Sequence, residues 1–137
     1  MKDSFNREIN YLRISVTDRC NFRCQYCLPS EGVALLPREQ ILSYEEILEV
    51  ARAAVEVGIN KFRITGGEPL VRPGVVGFLE RLINLTGVKR VSLTTNGYLL
   101  GEYAEELSRL NLGSINIGLN TLQEARLLPL TVIRFLS

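Results

Sequence analysis

Four short runs of strand-forming residues, parted by stretches of helical periodicity, decide what this 137-residue chain can fold into. Residues 11–16 (YLRISV) alternate and are rich in strand formers, and residues 61–65 (KFRIT), 91–95 (VSLTT) and 115–119 (INIGL) read the same way. Between the first two runs, Ser43 begins a helix, and Glu46 three residues later completes a capping box. Ile47, Ala51, Ala54 and Val55 share one face of that helix, and Gly58 sits where its C-cap belongs. Pro73 opens a second helix whose apolar stripe is Val75, Leu79, Leu82 and Ile83. Leu100, Ala104 and Leu107 mark a third. Strand and helix alternating at this pitch predict right-handed βαβ units and a parallel sheet of the α/β class.

The chemistry-bearing residues gather at one end of that sheet. Cys20, Cys24 and Cys27 follow the first strand, and Gly66-Gly67-Glu68-Pro69 follows the second. Thr95-Asn96-Gly97 follows the third and Asn120-Thr121 the fourth. Carboxyl ends of parallel strands are where α/β folds place their sites. The three cysteines are the only ones in the chain, spaced C-x₃-C-x₂-C. Three thiolates on one short loop suit a [4Fe–4S] cluster, whose fourth iron is left open for a small molecule. A disulfide framework prefers an even count and an oxidising compartment. A structural zinc site wants four ligands, and with no His and no fourth Cys it would need a carboxylate or a second chain. Spacing alone leaves cluster, zinc and no metal open.

The formal net charge is +1, so bulk charge favours neither nucleic acid nor membrane. Only three of the 16 basic residues are lysines; the arginine remainder suits anions, whether by selection or by composition bias. The N-terminus, MKDSFNRE, is polar and unlike a signal peptide. No apolar run reaches the ~18 residues that span a bilayer. A cytoplasmic, reducing setting is the expectation.

Residues 12–29, LRISVTDRCNFRCQYCLP, resemble the radical S-adenosylmethionine (SAM) superfamily. Within it, that string, RITGGEPLVR at 63–72 and LTTNG at 93–97 are similar to the GTP 3′,8-cyclases that begin molybdenum cofactor biosynthesis. The resemblance runs over about residues 5 to 124. It implies a partial parallel (β/α) barrel of the radical SAM type, about four βα units of it, where a full barrel needs ~250 residues. It implies that Cys20, Cys24 and Cys27 ligate the cluster and that the open iron binds SAM. One electron then releases a 5′-deoxyadenosyl radical, which takes hydrogen from the ribose of GTP before cyclisation.

The resemblance also assigns residues. Tyr26 lies by the adenine of SAM, with loop packing as its plain alternative. Gly66 and Gly67 hold the SAM amino group with help from Glu68, although such a segment also makes an ordinary strand-to-helix turn. Gly118 stands at a further SAM position. Arg13 is implied as a catalytic and GTP-binding residue, and Arg63 and Thr94 as GTP contacts. Two solvated arginines and a strand-forming threonine are the bland alternatives. A reductant such as flavodoxin or ferredoxin and a homodimer complete the expected partners.

Three departures from the family pattern stand out. Leu28 replaces the usual Met. Gly118 and Asn120 replace Ser and Asp, so a hydroxyl expected near SAM is lost. After Glu124 the chain turns into ARLLPLTVIRFLS, apolar and nearly uncharged. The expectation is a family portion over 1–124 and an atypical tail over 125–137 produced by a frameshift or premature stop. Translating the DNA beyond codon 124 in the other two frames tests that. Two alternatives to a cyclase portion remain: a non-catalytic remnant and a different radical SAM enzyme.

Overall fold

The computed structural model describes residues 2–24, 27, 34–119 and 131–133. Its centre is a four-stranded, all-parallel sheet built from β1 (Tyr11–Ser15), β3 (Lys61–Thr65), β4 (Arg90–Thr95) and β5 (Ser114–Ile117). The spatial order is β1-β3-β4-β5, so β1 and β5 are its edges. Leu12 pairs with Phe62, Phe62 with Val91, and Leu93 with Ile115. A second, two-stranded sheet pairs β2 (Phe22–Cys24) antiparallel with β6 (Thr131–Ile133).

The sheet is open where the sequence suggested part of a barrel. Among the described residues no strand joins β5 back to β1, so the supported statement is a parallel α/β sheet. Four twisted strands do not complete the circle that eight tilted strands close. The pairing of residues 131–133 with the cysteine-bearing strand places part of the expected tail beside the cysteines, and local sequence gives no signal for it.

Three helices cross over between the strands: α1 (Tyr44–Glu56), α2 (Val75–Ile83) and α3 (Leu100–Ser108). The capping box at α1 is complete. The Ser43 hydroxyl accepts from the Glu46 amide, and the Glu46 carboxylate accepts from the Ser43 amide at 2.7 Å. Val57 caps the far end, and Gly58 follows at φ 99°, a left-handed geometry that a Cβ disfavours. The second helix begins at Val75 with Gly74 as its N-cap, so Pro73 lies just outside it. The delay has a cause in Arg72. Its guanidinium donates to the carbonyls of Val16 at 2.6 Å and Leu42 at 2.7 Å and lies 4.1 Å from the centre of the Tyr44 ring, so the backbone there serves a tertiary anchor first.

One face of the sheet is apolar and covered. Phe62, Ile64, Val91 and Leu93 are buried with Ile47, Leu48 and Ala51 of α1, Phe78, Leu79 and Leu82 of α2, and Leu107 of α3. The opposite face carries Arg13, Arg63, Ser92, Thr94, Ser114 and Asn116, because side chains alternate along each strand. Among the described residues no helix is long and apolar enough to cross a membrane.

Candidate functional site

The loops after β1, β3 and β4 are laced together at the carboxyl ends of the strands. Val16 donates to the Thr65 carbonyl at 2.9 Å, Gly67 to Thr17 at 2.7 Å and Glu68 to Arg19 at 2.8 Å. This ladder continues the β1–β3 pairing beyond the strands and brings the Gly-Gly turn onto the start of the cysteine loop. The approach leaves no room for a side chain: a Cβ on Gly67 would sit 2.3 Å from the Arg19 carbonyl oxygen, and one on Gly66 2.8 Å from that of Thr17.

Glu68 braces this junction. Its side chain is buried, yet three donors converge on it. One oxygen accepts from the Leu70 amide at 3.1 Å and the Thr95 hydroxyl at 2.7 Å, and the other from the Asn96 amide at 2.7 Å. Donors on both oxygens are what a buried carboxylate needs. Pro69–Val71 forms a 3₁₀ turn just beyond, capped by the same carboxylate. A plain Gly-Gly-Glu-Pro turn did not announce that turn.

All three cysteines are free, with Cys20 and Cys24 part-buried and Cys27 exposed. The Cys20 sulfur accepts from the Phe22 amide at 3.4 Å. Burial pushes the Cys20 thiol above its ordinary range, and that amide opposes the shift. Among the described residues no three Cys, His, Asp or Glu side chains stand close enough to hold a metal ion. The donor chemistry nevertheless fits an anionic, sulfur-rich group. Three free thiols share one loop, and the neighbouring Asn21 amide nitrogen is buried without a partner among the described residues. An orphaned buried donor of this kind is what a negatively charged cluster satisfies.

The open face brings the predicted substrate residues into one patch. Arg13 and Arg63 stand in register on neighbouring strands. Neither forms an ion pair among the described residues. Arg13 donates to the Thr65 hydroxyl at 3.4 Å. Arg63 lies 5.8 Å from the centre of the Tyr11 ring, and its terminal nitrogens donate to the Asn116 amide oxygen at 3.1 Å once that amide is turned to satisfy both groups. Among the described residues, the Arg63 Nε and the Thr94 hydroxyl are buried without partners. Asn116, two residues along β5 from Gly118, escaped the sequence reading; its alternation with Ile115 and Ile117 was the available signal.

The Gly118 amide donates to the Thr95 carbonyl at 2.9 Å, and a Cβ there would meet only that oxygen at 3.9 Å. Space for the missing serine side chain therefore exists. Tyr26, Leu28 and Asn120 lie outside the described residues.

The profile of the Radical SAM superfamily matches residues 14–134, nearly the whole chain. This chain belongs to the radical SAM superfamily. The superfamily's cofactors are a [4Fe–4S] cluster and SAM. The radical SAM chain is 52% identical over 132 residues to a GTP 3′,8-cyclase of Thermodesulfovibrio yellowstonii, covering 96% of this chain and 41% of that relative. It is 56% identical over 121 residues to a GTP 3′,8-cyclase of Geobacter sulfurreducens, covering 88% and 37%. The chain thus spans about two fifths of the length of these curated relatives. Among solved structures, Streptococcus suis SuiB bound to S-adenosylmethionine superposes with a TM-score of 0.63 at 24% identity, over 91% of this chain and 28% of that one. At that identity the likeness speaks for the fold alone.

Proposed function

We propose that this chain is the cluster- and SAM-binding portion of a GTP 3′,8-cyclase, the enzyme that converts GTP to the 3′,8-cyclic nucleotide from which molybdenum cofactor is made. One observation carries the substrate half of that reading. Arg13 and Arg63 stand side by side on an open sheet face and, among the described residues, no carboxylate forms an ion pair with them and the buried Arg63 Nε and Thr94 hydroxyl lack partners. Unpaired guanidinium groups fit a polyphosphate, and orphaned donors fit a polar ligand that completes them. The identity to cyclases at 52% and 56% turns that general anion site toward GTP.

Cys20, Cys24 and Cys27 would hold the cluster. When bound, it supplies the electron that cleaves SAM. The protein's part is to orient the reactants and keep water out. The amides of Gly67 and Glu68 are committed to Thr17 and Arg19, so this turn offers a cofactor carbonyl oxygens, acceptors suited to an ammonium group. Glu68 belongs to the frame behind that turn, since its carboxylate is engaged by Leu70, Thr95 and Asn96. The Gly118 amide is committed to Thr95, so this position would offer SAM only a backbone carbonyl where relatives are expected to present a hydroxyl, and Tyr26 would face the adenine. Arg13 and Arg63 would grip the GTP phosphates on the open face, side by side at the same level of the sheet.

The reading places the protein in the cytoplasm with an electron-donating protein such as flavodoxin or ferredoxin as partner. The test is anaerobic. The chain is reconstituted with iron and sulfide, given SAM and a reductant, and assayed for 5′-deoxyadenosine, while GTP binding is measured by calorimetry. Release of 5′-deoxyadenosine together with GTP binding weakened in Arg63→Met supports it. A cluster that never cleaves SAM, or GTP binding indifferent to Arg13 and Arg63, overturns it.

A further inference from the structure

We propose that Asn96 is a positioning residue for the cysteine loop, tying it to the Gly-Gly turn and directing an amide N–H at the sulfur of Cys20. The inference rests on membership of the superfamily and does not depend on GTP being the substrate. Asn96 is the first residue of the Asn-Gly pair that follows β4 in the sequence Thr95-Asn96-Gly97, and no contact with substrate or cofactor has been assigned to it.

Its four polar contacts point in three directions. The backbone amide donates to Glu68 at 2.7 Å, which fixes the residue to the loop after β3. The side-chain oxygen accepts from the Tyr98 amide at 3.0 Å. A backbone N–H can only donate, so this contact settles which end of the Asn96 amide carries the oxygen. The side-chain nitrogen therefore faces the cysteine loop. It donates to the Asn21 amide oxygen at 2.9 Å and stands 3.9 Å from the Cys20 sulfur. The rings of Phe22 and Tyr98 meet edge to face at 5.7 Å and hold the two loops together on the other side of Asn96.

The consequence for a bound cluster is electrostatic. A ligating sulfur becomes more electron-rich when the cluster is reduced, so an N–H aimed at it favours the reduced form. Cys20 then has two such donors, the Phe22 amide supplied by its own loop and the Asn96 amide supplied from β4. Only the second depends on the sheet being correctly assembled, which links electron uptake to the folded state of the SAM-facing turn.

The test uses the full chain in two states. In the reconstituted protein, Asn96→Ala and Asn96→Asp are compared with the parent by an EPR-monitored redox titration. In the cluster-free protein, alkylation of each cysteine is followed by mass spectrometry. Asn96→Asp keeps an oxygen for Tyr98 but replaces the donors by a negatively charged oxygen beside the Cys20 sulfur, so it lowers the potential further and serves for that measurement if the alanine variant folds poorly. The expected result is a lower cluster midpoint potential in both variants, near a tenfold change in the reduction equilibrium, or about 59 mV for one electron. In Asn96→Ala, alkylation of Cys20 is expected to speed up several-fold against Cys24 and Cys27 as the loop is released. An unchanged potential, or an unchanged ratio of Cys20 to Cys24 alkylation, overturns the proposal even if the melting temperature falls. Should the parent hold no cluster, the reading as a cyclase portion fails, and the alkylation ratio alone then decides the role of Asn96.

Discussion

On one side of the sheet, Phe62, Ile64, Val91 and Leu93 lie sealed under three helices. On the other, Arg13, Arg63, Thr94 and Asn116 share a polar face, Arg13 exposed and the other three half-buried. The same four strands produce both, since successive residues point to opposite faces. The covered face is complete in itself: its apolar groups have one another. Among the described residues, the open face holds charges without counter-ions and donors without acceptors, a state that costs free energy unless something else supplies partners. Stability should therefore reside in the first face and ligand recognition in the second, and the loops at the carboxyl ends of the strands, where Glu68 sits, should serve both.

The largest effect tests the sealed face. Phe62→Ala removes a side chain 1% exposed and leaves a cavity among α1, α2 and β4, so a loss of about 3–5 kcal/mol is expected. Urea denaturation reads it as a large drop in midpoint with little change in slope. A small drop would mean that the helices do not seat on this face as described.

Next in size is the junction. Glu68→Gln keeps the shape but turns an NH₂ group toward either the Asn96 amide or the Leu70 and Thr95 donors. Two donors then face each other in a buried site, at about 1–3 kcal/mol. The same denaturation measures it, and Cys20 should gain alkylation as the β4 loop loosens. A variant as stable as the parent would show that the carboxylate is not the brace.

Gly67→Ala should leave stability less affected while costing cofactor affinity. Its new Cβ meets a backbone oxygen, Arg19 O, which cannot swing aside as a side chain can. The turn must move, and SAM affinity of the reconstituted chain is expected to fall at least tenfold, about 1.4 kcal/mol. Equilibrium dialysis with labelled SAM decides it, and unchanged binding removes this turn from the cofactor site.

Sequence made the covered face legible because its signals are local and repeated. Alternation gave β3 to the residue, and the Ser43–Glu46 box gave the start of α1. What stayed hidden depends on distant partners. The three-residue strands at Phe22–Cys24 and Thr131–Ile133 exist only because each pairs with the other. The start of α2 slipped past Pro73 because Arg72 is anchored to Val16 and Leu42. In the candidate site, motif residues were read as ligand contacts, whereas Glu68 is consumed by the frame. Asn116 carries no motif of its own, and Asn96 lies in LTTNG without an assigned contact, so their roles emerge only from cross-strand register and loop packing. Part of a barrel, about four βα units, was expected from resemblance, and the described strands form an open four-stranded parallel sheet.

The smallest effect discriminates best between the two faces. Thr94 lies on the open face, and its hydroxyl is buried with no partner. Thr94→Val replaces that hydroxyl by a methyl group of similar size. If the hydroxyl belongs to the fold, the variant loses stability. If it waits for a ligand, the free chain gains slightly, on the order of 1 kcal/mol or less, because a desolvated donor without a partner has been removed. GTP affinity should move the other way and weaken several-fold, while Thr94→Ser, which keeps the hydroxyl, should bind like the parent. Thermal unfolding and calorimetric titration on the same preparations read both signs. Opposite signs would mark Thr94 as a recognition residue whose partner lies outside the described chain. A loss in both would assign it to the fold and leave the two arginines as the whole of the recognition surface on this face.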